Sequence, residues 1–320
     1  MKPDKRLLVV TGPTASGKSK LVFDWAEKHA IGIISADARQ VYKYLDIVTG
    51  KDLPANWQLQ FKTGQFPVWS NGQSLLAGYD LVEPGAEFSL AHYYDFFLSA
   101  SQRFWARYQT VVLVGGSGFY LSGVLNPPDS LYVPPDLDWR AQADSWSLAQ
   151  LQQKLKQSFP RRWQQMNQSD QANPRRLIRA WEVERAKQAG KWRVPEVAWQ
   201  RQVDISQLVL APDSYHTLKQ RIAVRVQQRL ADDRLWSEVN WLQQHSYWSW
   251  VGKQVIGYQQ IAAYLRHQDL RRLQSDWLQV EFGYAKRQLV WFKKYFAQAH
   301  WYQLHDLQPA QVDFSAVSGD

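Results

Sequence analysis

Short apolar runs alternate with amphipathic stretches through the first third of the chain. Leu7-Leu8-Val9-Val10 is a continuous run of strand length, and from Ser19 to Lys28 the apolar positions Leu21, Val22 and Trp25 recur at helical spacing. Ile31-Gly32-Ile33-Ile34 predicts a second buried strand that ends at Ser35-Ala36-Asp37. Between about residues 57 and 82, short aromatic runs are broken by Thr63-Gly64, Asn71-Gly72 and Ala77-Gly78, which predicts a small β excursion with tight turns. Pro84-Gly85 breaks the chain, and Ser89 is an N-cap for a helix expected to reach about Tyr108. Thr110 to Val114 is a third strand run, followed by Gly115-Gly116-Ser117-Gly118. Strands alternating with helices predict a parallel sheet with crossover helices.

The pattern then changes. Asn126-Pro127-Pro128 and Val133-Pro134-Pro135 mark a hinge, and residues 136–197 read as helical throughout. Leu148, Leu151 and Leu155 mark one face, Phe159-Pro160 ends that helix, and Asn173-Pro174 opens the next as N-cap and first helical residue. That helix is expected to stop near Gly190. A strand over Gln207–Leu210 returns to the sheet, and the rest reads as mostly helical. Near 284–296, Ala285, Leu289, Phe292 and Phe296 form an apolar stripe, with Arg287, Trp291 and Lys294 on another face. The expected organisation is a discontinuous core, residues 1–123 with 201–320, interrupted by a helical insert over 124–200.

Candidate chemistry sits at the strand ends. Gly12-Pro13-Thr14-Ala15-Ser16-Gly17-Lys18-Ser19 fits G-x-x-x-x-G-K-[ST] between a predicted strand and a predicted helix. Such a loop turns backbone N–H groups and a helix N-terminus toward an anion, Lys18 adds charge, and Ser19 can reach Mg²⁺. A di- or triphosphate, or pyrophosphate, is the expected ligand. Asp37 at a strand end suits a general base or a metal ligand, but equally a turn cap. The Gly115–Gly118 turn suits close approach of a ligand, or is a plain tight turn. The third strand runs into Gly115-Gly116-Ser117-Gly118 where P-loop ATPases usually end a strand in Asp, which argues against ATP hydrolysis.

The composition adds a partner class. The chain of 320 residues carries a net charge of +9, with 17 Trp and 15 Tyr. Basic surface interleaved with aromatics suits unpaired bases, although basic charge also serves solubility. There is no Cys, hence no disulfide framework or thiolate metal site. No apolar run approaches a membrane span, and the first strand follows the N-terminus without room for a signal peptide. A cytoplasmic protein without membrane association is expected, and nothing demands more than a monomer.

The ordered blocks GPTASGKS (12–19), ISADARQVY (34–42), DIVTGKD (46–52), VGGSGFYL (114–121), RRLIRAWEV (175–183), QRIAVR (220–225), VIGYQQIAAYL (255–265) and YAKRQLVWFKK (284–294) resemble the tRNA dimethylallyltransferases over nearly the whole chain. The resemblance implies an α/β fold, a P-loop NTPase-like parallel sheet with a helical insert domain. It implies transfer of a dimethylallyl group from dimethylallyl diphosphate to N6 of an adenosine beside the anticodon, with Mg²⁺ as cofactor. Residues Gly12 to Ser19 would hold the diphosphate, with Mg²⁺ near Ser19. Asp37 would be the general base, Ser117 would contact the adenine where the family usually has Thr, and Lys18 and Arg225 would steady the leaving group. The tRNA anticodon stem-loop would meet Asp37, Ala38, Arg39 and Gln40, then Arg140, Arg175, Arg176, Leu177, Ile178 and Arg179 in the insert, and Gln254, Gly257, Tyr258, Gln259 and Arg287. The target base would have to leave its stack.

One departure stands out. The family often has a Thr-Arg pair shortly before its AKRQ block, whereas this chain reads Glu281-Phe282-Gly283. Three other readings are weighed. A P-loop kinase for a small molecule explains residues 12–19 but not the basic aromatic second half. A prenyltransferase for free adenine nucleotides needs no helical insert. A non-catalytic RNA-binding module does not need Lys18, Ser19 and Asp37 together.

Overall fold

Four buried runs pair in parallel to form the centre of one sheet: β1 (Lys5–Thr11), β2 (Gly32–Ser35), β6 (Thr110–Gly115) and β7 (Val203–Pro212). The computed structural model describes residues 4–61, 66–304 and 314. Strands covered on both faces read as continuous apolar runs, which is why β1, β2 and β6 were plain in the sequence, whereas β7 begins at Val203, ahead of the expected Gln207, because its first half is polar and only partly buried. β1 lies between β6 and β7, with Leu7 opposite Val111 on one side and Ile205 on the other.

The β excursion extends this sheet. β3 (Gln58–Phe61), β4 (Val68–Ser70) and β5 (Leu75–Ala77) complete the order β3-β4-β5-β2-β6-β1-β7-β8, with β5 parallel to β2 and β4 antiparallel to both its neighbours. Thr63-Gly64 lies outside the described residues; Gly72, in the Asn71-Gly72 turn, has φ +93°. The sequence reading missed β8 (His300–Leu304), which pairs with β7 at the sheet edge. An edge strand needs no continuous apolar run, and His300 and Gln303 broke the pattern.

Helix α1 (Lys18–Ala26) buries Leu21, Val22, Phe23 and Trp25. α2 (Leu90–Trp105) starts at Ser89, whose hydroxyl accepts the His92 N–H while the His92 ring accepts the Ser89 N–H. α3 (Gly118–Leu125) follows β6.

The chain divides into two compact units, one of residues 1–125 with 198–320 and one of residues 126–197. The second contains α4 (Leu137–Ala143), α5 (Leu148–Ser158), α6 (Pro160–Gln165), α7 (Gln168–Gln171) and α8 (Pro174–Gln188). Its core gathers Trp139, Leu151, Leu155, Phe159, Met166 and Leu177, and Trp139 stacks on Trp181 at 3.5 Å. Three expectations are corrected here. Leu148 is exposed because it is the first residue of α5, ahead of the buried turn. Phe159-Pro160 joins two helices, since proline fits the first turn of α6. The chain after Gly190 is irregular up to the 3₁₀ turn at Ala198–Gln202.

Back in the first unit, α9 (Tyr215–Leu230), α10 (Asp233–Gln244), α11 (Trp248–Gln254) and α12 (Tyr258–His267) precede α13 (Leu270–Tyr295), a helix of 26 residues that packs on α9. The expected stripe at Ala285, Leu289, Phe292 and Phe296 is buried. Among the described residues, no helix is long and apolar enough to cross a membrane.

Candidate active site

Ligands of open α/β sheets bind beyond the carboxyl ends of the strands. At that end of β1, β2 and β6 the chain places its polar loops. The first, residues 12–17, is shaped by backbone demands. A Cβ on Gly12 would overlap the Leu210 carbonyl oxygen, and Gly17, at φ +83°, starts α1 without a side-chain cap. The first N–H groups of α1 therefore have no side-chain partner at the cap, the usual condition for an anion site. Lys18 is buried, and its Nζ donates to the Pro13 carbonyl at 2.8 Å and to Ser16 Oγ at 3.4 Å. Burial, assisted by the nearby Arg225 charge and opposed by Asp37, pushes its ammonium down to about 7.

The second loop carries Asp37. Its Oδ1 accepts the Arg39 N–H at 2.8 Å, so this carboxylate does cap its turn while also lining the cavity. The third loop meets it: the Ser117 N–H donates to the Ala36 carbonyl at 3.2 Å, and Ser117 Oγ accepts the Ala38 N–H at 2.8 Å. Ser117 thus fixes the Asp37 loop, and its hydroxyl hydrogen remains a donor for a ligand.

The remaining wall comes from α9 and α13. Arg225 Nη1 donates to Thr14 Oγ1 at 3.1 Å, and the Thr14 hydroxyl donates to Glu281 Oε1 at 3.0 Å. The Thr14 N–H donates to Gln288 Oε1 at 2.9 Å, while Gln288 Nε2 donates to the Gly116 carbonyl at 2.7 Å. Arg229 pairs with Glu281 at 3.4 Å. Sequence reasoning missed Arg229, Glu281 and Gln288. The signal was present, because Glu281 and Gln288 stand seven residues apart on the same face as Ala285, polar positions inside an apolar stripe.

These walls enclose a cavity of about 250 Å³ that contains Lys18, Asp37, Ser117 and Arg225 together. Val22, Phe23, Ile33, Leu76, Tyr79 and Val114 supply an apolar lining. Tyr284 lines it too, its phenol pushed up to about 12 by burial.

Other residues expected to contact RNA have different surroundings. Gln40 is buried, accepting from the Ser35 hydroxyl and donating to the Gly50 carbonyl at 2.7 Å. Tyr258 is buried and bonds Glu238, and Gly257, at φ +93°, packs where a Cβ would overlap Val48 and Trp277. Gln254, Arg39 and Arg287 are exposed, Ala38 is half-buried, and Gln259 bonds the Lys253 carbonyl. Trp291 lies against Gly118 with its indole N–H buried, so it is not an open stacking platform. In the helical unit, Leu177 is in the core with Ile178 packed on it. Arg140 and Arg179 both bond the buried Glu182, and Arg179 also donates to the Ser130 and Val133 carbonyls. Arg176 pairs with Asp170, and Arg175 is exposed.

Residues 40–295 match the family model for IPP transferase. The chain is 32% identical over 304 residues to tRNA dimethylallyltransferase 1 of Syntrophus aciditrophicus, covering 91% of this chain and 90% of the relative. It is 30% identical to tRNA dimethylallyltransferase 1 of Geotalea uraniireducens, covering 90% and 88%. Among solved structures, the full-length tRNA isopentenylpyrophosphate transferase of Bacillus halodurans superposes with TM-score 0.63 at 25% identity, over 98% of this chain and 92% of that one. A eukaryotic dimethylallyltransferase acting on tRNA superposes with TM-score 0.75 at 20% identity, over 98% and 77%, which bears on the fold alone.

Proposed function

The chain belongs to the IPP transferase family and is a prenyltransferase that moves a dimethylallyl group to tRNA, and we propose that dimethylallyl diphosphate is its donor and N6 of an adenosine beside the anticodon its acceptor. The observation that carries the proposal is one cavity lined together by residues of the Gly12–Ser19 loop, by the Asp37 carboxylate and by an apolar patch. A five-carbon chain suits that patch, and its diphosphate suits Lys18, Arg225 and the N–H groups that open α1.

The exocyclic amine is a weak nucleophile, because its lone pair is delocalised into the ring. It attacks the allylic carbon as the C–O bond to the diphosphate breaks. The bonding pair leaves with pyrophosphate, and the N6 proton passes to Asp37. Fixed cations and N–H donors that receive the departing charge lower this barrier most. Ser117 offers its hydroxyl hydrogen to the adenine and holds the Asp37 loop in register.

Mg²⁺ is part of the proposal. Among the described residues, no group of three or more His, Cys, Asp or Glu is placed to hold a metal. Ser19 lines the cavity and would hold the ion together with phosphate oxygens, as Mg²⁺ is commonly held. Bound there, it would neutralise diphosphate charge.

For RNA, the exposed Arg39, Gln254 and Arg287 around the first unit's loops, and Arg175 and Arg176 of the helical unit, are the proposed contacts with the anticodon arm. Action as a cytoplasmic monomer belongs to the same proposal. The kinase reading gains nothing, since β6 ends in Gly115-Gly116-Ser117 rather than an acid.

The test is mass spectrometry after incubation with dimethylallyl diphosphate and Mg²⁺, with either an anticodon stem-loop bearing consecutive adenosines or AMP. Gain of one dimethylallyl group on the RNA alone is expected. Gain on AMP alone, or on neither, overturns the proposal.

A further inference from the structure

We propose that Arg229 is a second guanidinium for the donor's diphosphate, acting beside Arg225, with Glu281 as the buried counter-ion that positions it. The proposal rests on the reading that the diphosphate lies in the Gly12–Ser19 loop.

Arg225 and Arg229 stand four residues apart on α9 and so share one face. Both line the cavity that also contains Lys18 and Ser19. Their heads converge: a Cβ on Gly50, which sits at φ +67°, would overlap Nη2 of both arginines. The loop at Gly50 thus lacks a side chain where the two guanidiniums meet.

Convergence of like charges is costly without an anion. Arg229 is buried, and burial followed by the Arg225 charge lowers its guanidinium to about 10. Arg225 also opposes the charge on Lys18. Against these three cations stand Glu281, Asp37 and Asp52, and the Asp52 side chain is 69% exposed. Solvent screens Asp52, so a diphosphate adds anionic charge where the guanidiniums converge.

A purely structural pair would be close and forked. Charge-assisted bonds of that kind run at about 2.7–2.9 Å. Arg229 Nη1 instead sits 3.5 Å and 3.4 Å from the two Glu281 oxygens, while Nη2 approaches Gly50. Glu281 is also shared, accepting the Thr14 hydroxyl of the anion loop at 3.0 Å. This arrangement answers the departure seen in the sequence. The Thr-Arg pair expected shortly before Ala285 is replaced by Glu281-Phe282, and a guanidinium enters from α9 instead.

The experiment measures the binding of inorganic pyrophosphate by calorimetry in Mg²⁺ buffer, together with thermal melting. Arg229→Gln alone strands a buried carboxylate, so the decisive variant is Arg229→Gln with Glu281→Gln. It should melt near the wild type yet bind pyrophosphate about tenfold more weakly or worse, with KM raised for dimethylallyl diphosphate and not for tRNA. Arg229→Lys, which keeps a charge opposite Glu281, is the second variant. It should weaken pyrophosphate several-fold, because an ammonium cannot make the forked contact. Affinity within about twofold of wild type in a folded variant, while Lys18→Ala loses binding, overturns the role of Arg229 alone. If Lys18→Ala also keeps its affinity, the anion is not in the loop, and the underlying reading falls as well.

Discussion

Gln288 and Thr14 are separated by 274 positions in the chain, yet the Thr14 N–H donates to Gln288 Oε1 at 2.9 Å. The same amide donates to the Gly116 carbonyl at 2.7 Å. One side chain on α13 therefore sets the anion loop and the Ser117 turn relative to each other. Gln288→Ala leaves the half-buried Thr14 N–H without its partner, while the Gly116 carbonyl keeps only the Gly118 N–H at 3.1 Å, and a stranded group of this kind costs about 1–3 kcal/mol. Calorimetric melting should show a lower midpoint, and kcat should fall more than tRNA affinity. An unchanged kcat would remove Gln288 from the positioning of the site.

Lys18 links pH to both stability and ligand binding. Its ammonium is lowered from 10.5 to about 7, with burial the leading cause. Between these values the unfolded chain holds the proton and the folded chain releases it. The unfolded state binds more protons, so this group adds stability as pH rises from 7 toward 10.5. Pyrophosphate favours the charged form, so its binding near pH 8 should take up a proton. Calorimetry in buffers of different ionisation enthalpy reads that uptake, and Lys18→Arg, whose guanidinium stays charged throughout, should remove the contribution of this group.

Gly50 carries a backbone demand and a steric one together. Gly50→Ala places a Cβ against Arg225 and Arg229 at φ +67°. The left-handed conformation alone costs about 1–2 kcal/mol for a non-glycine residue. KM for dimethylallyl diphosphate should rise about tenfold or more, as expected when a charge-assisted contact is lost. Melting and steady-state kinetics on the same preparation separate the two effects.

The arginines of the helical unit fall into two groups. Arg140 and Arg179 neutralise Glu182, which is buried in that unit. Arg179→Ala should lower the melting temperature of the protein. Arg175→Ala should leave melting unchanged and reduce the salt slope of tRNA binding by about one. Filter binding at several salt concentrations distinguishes them.

Legibility followed the range of the interactions. The central strands and the anion loop declare themselves locally, through unbroken apolar runs around a glycine-lysine-serine turn. The Asp37 loop was visible by its place at a strand end. Glu281, Gln288 and Arg229 act across more than fifty residues, and pattern alone marked them only as polar interruptions of buried helix faces. Gln40 and Tyr258 lie in RNA-suggestive blocks but serve internal bonds, because burial depends on neighbours that local sequence does not reveal. β8 escaped for the opposite reason, as one edge of a strand can remain polar.

The central claim is that one cavity holds the donor while Asp37 takes the proton from the acceptor. Single-turnover prenylation of an anticodon stem-loop by Asp37→Ala tests it most directly, with RNA affinity measured in parallel. The expected rate is lowered about 10²-fold or more, with RNA affinity within about threefold of the wild type. A rate close to wild type, or a loss of rate matched by an equal loss of affinity, would contradict it.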